Sequence, residues 1–233
     1  MTPLSRPVPP APARSRRRAW LATGITGLVA LLGPVALLTA PVPAHAAVDE
    51  AAAAIALFQQ ASSGRRDAVD EAAARLSALS AAAPADPVLR AYAGAATSLR
   101  ATTTLLPWRK LAHAEDGLAS IDKALAQLSP AHDQALQGGV PASLETRFVA
   151  ASTFLAVPGF MNRAERGRKL LDAVLASPLF DAAPAGFRAA VWLRAGQLAE
   201  KEQRAADARR WYTRVAETPA PQASAARARL AGL

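Results

Sequence analysis

The sequence predicts an all-α fold, and three observations support this class. Apolar residues recur at intervals of three and four, whereas a half-buried strand would show alternation. Alanine, the strongest helix former, occurs throughout the chain. Short segments rich in Pro, Gly and Ser separate the periodic stretches at regular intervals. We therefore predict a protein of consecutive helices joined by short turns.

The N-terminal segment, residues 1–46, has the pattern of an export signal. The basic stretch "RSRRRAW" precedes the apolar run "LATGITGLVALLGPVALLTA", and "PVPAHA" follows with small residues at Ala44 and Ala46. Signal peptidase requires small residues at these two places, so we predict cleavage after Ala46. The consecutive arginines also resemble a twin-arginine signal, and both the Sec and the twin-arginine route stay open. The alternative is an uncleaved anchor, since residues 21–40 are long enough to cross a bilayer.

In either case the body of the protein, residues 47–233, is expected outside the cytoplasm, in the periplasm or secreted.

The charge of the body is smaller than that of the whole chain. Five of the 27 Lys and Arg residues and none of the 18 acidic residues lie in residues 1–46. The body therefore has 22 basic and 18 acidic residues, a net charge of +4. A charge of this size indicates ordinary solubility, and no nucleic-acid partner is expected. The chain has no cysteine, which excludes disulfides and thiolate chemistry.

The apolar segments and their punctuation divide the body into nine predicted helices. They cover residues 49–62, 66–82, 86–106, 108–128, 142–156, 162–176, 184–202, 205–217 and 221–230. The helix after Trp108 shows one apolar stripe with steps of three and four, formed by Leu111, Ala114, Leu118, Ile121, Leu125 and Leu128. Such a stripe is typical of a helix that packs against one neighbour.

The chain also repeats itself. "GLASIDKAL" at 117–125 aligns with "GRKLLDAVL" at 167–175 with an offset of fifty, and "TTTLLPW" resembles "STFLAVPGF" upstream. A small residue occupies the same place in four predicted helices, spaced by 45, 50 and 41 positions: Ala72, Gly117, Gly167 and Ala208. Small residues at such places allow antiparallel helices to approach closely.

The last predicted pair carries an ordered set of small and aromatic residues: Trp192, Gly196, Ala199, Ala208, Tyr212 and Val215. This set resembles the tetratricopeptide repeat (TPR). The resemblance implies an α-solenoid of about four antiparallel helical hairpins over residues 47–233, with a C-terminal capping helix near 221–230. Because a standard repeat has about 34 residues, the longer spacing implies longer turns and irregular middle units.

Catalytic signatures are missing from the sequence, so we predict no catalytic residue, no cofactor and no metal site. His113 and His132 lack a second histidine at metal-ligand spacing, and no nucleotide or nucleophile motif occurs. We expect His113 on a solvated helix face and His132, with Asp133, in a turn. The Gly138 and Gly139 pair is expected in a loop with no strand before it.

The TPR resemblance implies a non-catalytic scaffold of the cell envelope that binds a protein or peptide partner through the groove of the solenoid. Residues on the first helix of each pair would face that groove: Arg90, Arg100, Arg147, Arg194 and Gln197. A cationic group that includes Arg163 and Arg166 could hold an acidic peptide, a phosphate or a headgroup. Trp108 is expected to pack on Leu105 and Leu106, with partner contact as the alternative.

Two other functions stay open. The first is a membrane-associated or apolar-ligand module that uses the turns at Leu105–Trp108 and Val157–Phe160, and it requires Trp108 and Phe160 to be exposed. The second is an envelope enzyme, which requires a carboxylate in a deep pocket with a raised pKa.

The export signal generates the first testable prediction. When the full chain is expressed in a bacterium with both export routes, the exported protein should begin at Ala47, because Ala44 and Ala46 fit the peptidase. Intact-mass analysis of the exported protein checks this, with Ala46→Lys as the uncleaved control. A product that retains residues 21–40 would instead establish the anchor.

Overall fold

The computed structural model describes residues 44–134 and 136–233. Residues 1–43 of the predicted export signal lie outside the described residues. The described residues form nine α-helices, which confirms the all-α prediction. They are α1 (Ala44–Ser62), α2 (Val69–Ala82), α3 (Pro87–Leu99), α4 (Pro107–Ala126), α5 (Ala142–Ala156), α6 (Ala164–Leu175), α7 (Ala185–Lys201), α8 (Ala205–Ala216) and α9 (Ala223–Ala231). Among these helices none combines the length and the apolar character needed to cross a membrane.

Helix α3 departs most from its predicted range of 86–106. It begins at Pro87 because the Asp86 carboxylate accepts hydrogen bonds from the backbone N–H groups of Val88 and Leu89, at 2.8 and 3.1 Å. It ends at Leu99, where a 3₁₀ turn over Arg100–Thr102 follows. The Thr102 hydroxyl donates to the Leu99 carbonyl oxygen at 2.7 Å. Threonine side chains that bond to nearby carbonyls compete with helix formation, which explains the early end.

A two-residue antiparallel ladder pairs β1 (Leu136–Gln137) with β2 (Val140–Pro141). The prediction that no strand precedes Gly138 and Gly139 was therefore wrong. Both glycines have positive φ, 56° and 82°, as the tight hairpin turns that match strand twist require. The sequence "QGG" is typical of a hairpin turn, but the two-residue strands on either side are too short to show the alternation that identifies a strand.

Consecutive helices pack on one another: α1 on α2, α3 on α4, α5 on α6, α7 on α8, and α9 on α8. The α3 and α4 pair is antiparallel, because the contacts between the two helices run in opposite directions along the chain. Near one end Ser98 is next to Gly117, and further along the Ser120 hydroxyl donates to the Arg90 carbonyl oxygen at 3.3 Å. Helix α3 also packs on α2 and α5, so it is covered on several sides.

Glycines set the distance between the paired helices. A Cβ atom built on Gly117 would lie 2.4 Å from the Gly94 carbonyl oxygen and 2.2 Å from the Ser98 hydroxyl. A Cβ on Gly167 would lie 2.9 Å from a Leu155 carbon, and one on Gly196 would lie 2.4 Å from the Tyr212 ring. The glycines among the small residues that the sequence singled out therefore lie at helix contacts without room for a side chain.

Apolar side chains form successive cores between the helices. The first is centred on α2 to α5 and includes Leu76, Ile121 and Phe154, each with no exposed surface. The second joins the α5 and α6 pair to α7, and the third joins α7, α8 and α9. Each core uses residues of a helix that also borders the next core, so the hairpins are held in sequence along the chain.

The close contact at Gly117 generates a stability prediction. Gly117→Ala should lower the free energy of unfolding by about 2 kcal/mol or more, because overpacking outweighs the gain in helix propensity. Chemical denaturation followed by circular dichroism measures this change.

Gly186→Ala is the matched control, because a Cβ on Gly186, in the first turn of α7, meets no atom within 4 Å. It should leave stability unchanged or raise it by up to about 1 kcal/mol. Equal effects of the two substitutions would contradict the packing explanation.

Candidate functional site

Large apolar side chains stay exposed at the α3 to α4 and α5 to α6 connections. We call this group the turn surface, and it consists of Leu105, Leu106, Trp108, Leu111 and Phe160. Leu105 is 90% exposed, Phe160 73% and Trp108 67%. Trp108 was expected to pack on Leu105 and Leu106, and all three side chains stay exposed, Leu106 at 38% the least.

The exposure of the turn surface follows from where the helix contacts begin. The buried residues of α4 start at Ala114, so the first two turns of the helix, which carry Trp108 and Leu111, project beyond its packed part. Pro107 occupies the first helical position, where its missing N–H is tolerated, and Leu106 before it is extended. The predicted apolar stripe of α4 is thus buried only from Ala114 onward, and Leu111 is 44% exposed.

A groove of about 510 Å³ lies between α4 and the 3₁₀ turn Gly159–Met161. Its apolar lining comes from Leu111, Leu118, Ala119, Phe160 and Met161, and its polar lining from Glu115, Asp122 and Arg163. The 3₁₀ turn ends at Asn162, which has a φ of 54°, a conformation that asparagine tolerates better than most residues. Because Leu111 and Phe160 face the same groove, the two connections contribute to one surface.

The predicted cationic group beside this groove is paired within the chain. Arg163 and Arg166 form ion pairs with Asp122 at 3.0 and 2.5 Å, and both guanidinium groups lie over the Phe154 ring. Farther along α6, Arg168 pairs with Glu202 at 3.1 Å. These arginines therefore link neighbouring helices, and only Arg163 lines the groove.

The residues expected in an inner groove have different partners within the chain. Arg90 donates to the Pro84 carbonyl oxygen at 2.7 Å and lines a separate cleft of about 310 Å³ between α2, α3 and α4. Arg100 forms an ion pair with Asp70 at 2.8 Å. Arg147 is half-buried and lines neither of these clefts.

Arg194 and Gln197 lie together on α7, next to α5. Arg194 donates to the Ser152 carbonyl oxygen at 2.6 Å and to Gln197 Oε1 at 3.3 Å. Burial lowers the pKa of Arg194 from its ordinary value. Since these donors are engaged between α5 and α7, the pair has a structural role at that contact.

Sequence reasoning missed a polar contact between α3 and α5. The Tyr92 hydroxyl donates a hydrogen bond to Glu145 Oε1. Burial raises the pKa of Glu145 from its ordinary value, while the hydrogen bond from Tyr92 opposes this shift. Burial also raises the pKa of Tyr92, and the charge of Glu145 adds to that effect. Glu145 lines neither the groove nor the Arg90 cleft.

The two histidines have different surroundings. His132 closes a 3₁₀ turn: its Nδ1 atom accepts from the Ser129 backbone N–H at 3.0 Å, which confirms its predicted role in a turn. Asp133 accepts from the Ser143 hydroxyl at 2.5 Å. His113 is half-buried on α4. Across residues 44–134 and 136–233, no three His, Asp or Glu side chains converge as a metal site would require.

Comparison with known proteins identifies no relative: no family model, no curated protein and no solved structure matches the chain.

Glu145 generates a pH-dependent prediction. Because its folded-state pKa is raised, its contribution to stability is fully present below the ordinary pKa of Glu and is lost as pH rises through the folded-state pKa. Glu145→Gln keeps an acceptor for Tyr92 and removes the buried charge. It should therefore raise the free energy of unfolding at about pH 7 by on the order of 1 kcal/mol and change it little at about pH 4.

Urea denaturation at the two pH values tests this, with Glu165→Gln as the control. The pKa of Glu165 is lowered by its hydrogen bond with Lys169, so that substitution should give no gain at neutral pH. A loss of stability in Glu145→Gln at neutral pH would contradict the prediction.

Proposed function

We propose that this protein is an exported, non-catalytic scaffold with a TPR-like arrangement of helical hairpins, and that it binds a protein or peptide partner. The observation that carries the proposal is the turn surface with its adjoining groove. The export signal of residues 1–46 would place this function in the cell envelope or outside the cell.

The packing of the hairpins supports the TPR-like arrangement. Consecutive helices pair along the chain, and small residues occupy the contacts that the resemblance implies. Gly196 lies against the Tyr212 ring, which is the small and aromatic combination expected for the last repeat. Ala72 and Ala208 are also fully buried, at the equivalent places of α2 and α8.

The chemistry of the turn surface suits a protein partner. Exposed apolar surface costs roughly 25 cal/mol per Å² relative to burial, so the exposed Leu111 and Phe160 side chains, which line one groove, favour association. Trp108 and Phe160 can act as aromatic anchors, the residue type that dominates binding energy at interfaces. Glu115, Asp122 and Arg163 give the groove the polar edge that protein interfaces usually have. A partner side chain that enters between Leu111 and Phe160 would be covered on two sides.

Site-specific photo-crosslinking in cells tests the proposed interface. A photo-reactive residue placed at Phe160 or at Trp108 should capture the same partner protein. When Leu111→Asp is added to either photo-reactive variant, the crosslinked product should disappear, because the substitution puts a charge into the apolar lining of the groove. Trp108→Ala should weaken binding of the purified partner by roughly tenfold or more.

Leu136 provides the control position, because it is 63% exposed but does not line the groove. A photo-reactive residue there should give no such product. Identical products at Leu136 and Phe160, or products unaffected by Leu111→Asp, would overturn the assignment of the interface.

A lipid surface is the second candidate for the same turn surface, and one observation favours it. Trp108 and Phe160 protrude into solvent, and the exposed cations Arg109 and Lys110 follow Trp108 directly. Aromatic side chains beside cations are typical of segments that insert into an anionic interface.

Sedimentation with phosphatidylglycerol vesicles separates the two candidates. The protein scaffold predicts no vesicle binding beyond that of a Trp108→Ala, Phe160→Ala double variant. Strong binding that this double variant loses would instead establish the lipid surface.

A further inference from the structure

Three arginines and two tryptophans alternate across α7 and α8, and we call this group the Arg–Trp stack. Trp192 has the Arg188 guanidinium at 5.7 Å and the Arg214 guanidinium at 5.9 Å from its ring centroid. Trp211 has Arg214 at 5.2 Å and Arg210 at 4.9 Å. Each indole therefore contacts two guanidinium groups, and Arg214 contacts both indoles.

The positive charge of the Arg–Trp stack is poorly neutralised by the rest of the chain. No carboxylate in the described residues lies within 4.0 Å of a side-chain nitrogen of Arg188 or Arg214. Arg210 has one partner, Asp207 at 3.3 Å, and Asp207 also pairs with Arg204 at 2.5 Å. The Arg–Trp stack thus has fewer ion pairs than the cations beside the groove, where Arg163 and Arg166 both pair with Asp122.

The guanidinium groups of the stack are also held in place. Both tryptophans are half-buried, and Trp192 packs on Phe180 with ring centroids 5.9 Å apart. Arg188 donates to the Asp181 carbonyl oxygen at 3.2 Å, which fixes one end of the stack. Contact with an indole face stabilises a guanidinium electrostatically while its N–H donors stay in the plane of the group. Ligand binding then requires less ordering of the arginine side chains than at an isolated arginine.

The geometry points to an acidic segment of a protein partner, and we propose that the Arg–Trp stack binds such a segment through its Asp and Glu carboxylates. A planar guanidinium can donate two parallel hydrogen bonds to one carboxylate, so successive arginines suit successive acidic side chains. This site is additional to the turn surface and does not depend on it.

Two other anionic partners fit the stack less well. A membrane surface would be expected to contact exposed apolar side chains as well as cations, but the exposed large apolar residues in the described part of the chain include none from α7 or α8. Single-stranded nucleic acid binds through bases stacked on aromatic faces, and here guanidinium groups lie over the indoles.

Isothermal titration calorimetry of the protein purified after export tests the proposal. The probe is a synthetic Glu and Gly peptide, compared with a Gln and Gly peptide of the same length. The acidic peptide should bind and the neutral peptide should not, and affinity should fall as salt is raised to about 0.15 M and beyond. Arg214→Gln should weaken binding about tenfold, the effect expected when one charged contact is removed.

Arg209→Gln is the matched control, because Arg209 is an exposed cation on the same helix and is not among the guanidinium groups that lie over the two indoles. It should change affinity less than twofold. Arg210→Gln serves as a second test variant if Arg214→Gln alters thermal unfolding.

Three outcomes would overturn the proposal. The two peptides could bind equally, or Arg209→Gln and Arg214→Gln could lose the same affinity. Single-stranded DNA or phosphatidylglycerol vesicles could also bind more tightly than the acidic peptide. Phe160→Ser should leave peptide binding unchanged, so a failure here is distinguishable from a failure of the proposed interface at the turn surface.

Discussion

The contact between α3 and α4 at Gly94 and Gly117 is the constraint on which the rest of the structure depends. The Gly117 carbonyl oxygen lies only 2.6 Å from the position that a Cβ on Gly94 would occupy, so the two backbones touch directly. This approach buries a continuous run of residues in α3, from Ala91 to Ala96, which are all small except Tyr92, and makes α3 the centre of the first core. Without it, α2 and α5 would lose the helix on which both pack.

The same contact determines where the candidate binding surface lies. Because α4 packs closely only from Ala114 onward, its first two turns extend past the core and hold Trp108 and Leu111 in solvent. The α5 to α6 connection brings Phe160 to the same groove. The close packing of α3 and α4 therefore also explains the exposure of the connection between them. The packed part of α4 holds Trp108 and Leu111 in place, although neither side chain is buried.

Much of the fold could be predicted from the sequence because its signals are local. Proline, glycine and serine mark the turns, and the spacing of apolar residues identifies the helices and the small residues at their contacts. The end of α3 at Leu99 could not be predicted in this way, because threonine hydroxyls rather than a proline or glycine terminate it. The short β1 and β2 ladder was missed because two residues give no periodicity.

The candidate site was less predictable because it depends on pairings between distant parts of the chain. The sequence suggests that Arg163 and Arg166 could bind an anionic ligand. In the structure, however, both form ion pairs with Asp122, which belongs to another helix pair. The exposure of Trp108 depends on how far α4 projects, which its own sequence does not specify. Conversely, Trp192 was identified only as a repeat residue, and its arginine neighbours come from two helices.

The glycine contacts also limit how this chain can vary. Where backbone atoms touch, they cannot rearrange as a flexible side chain can, so a larger residue at such a position lowers the stability of the fold. The connection Leu105–Trp108 carries no such restriction, because its side chains are exposed to solvent. Substitutions can therefore accumulate in the connections while the helix contacts stay fixed, so the chemistry of the exposed surface can change without loss of the fold.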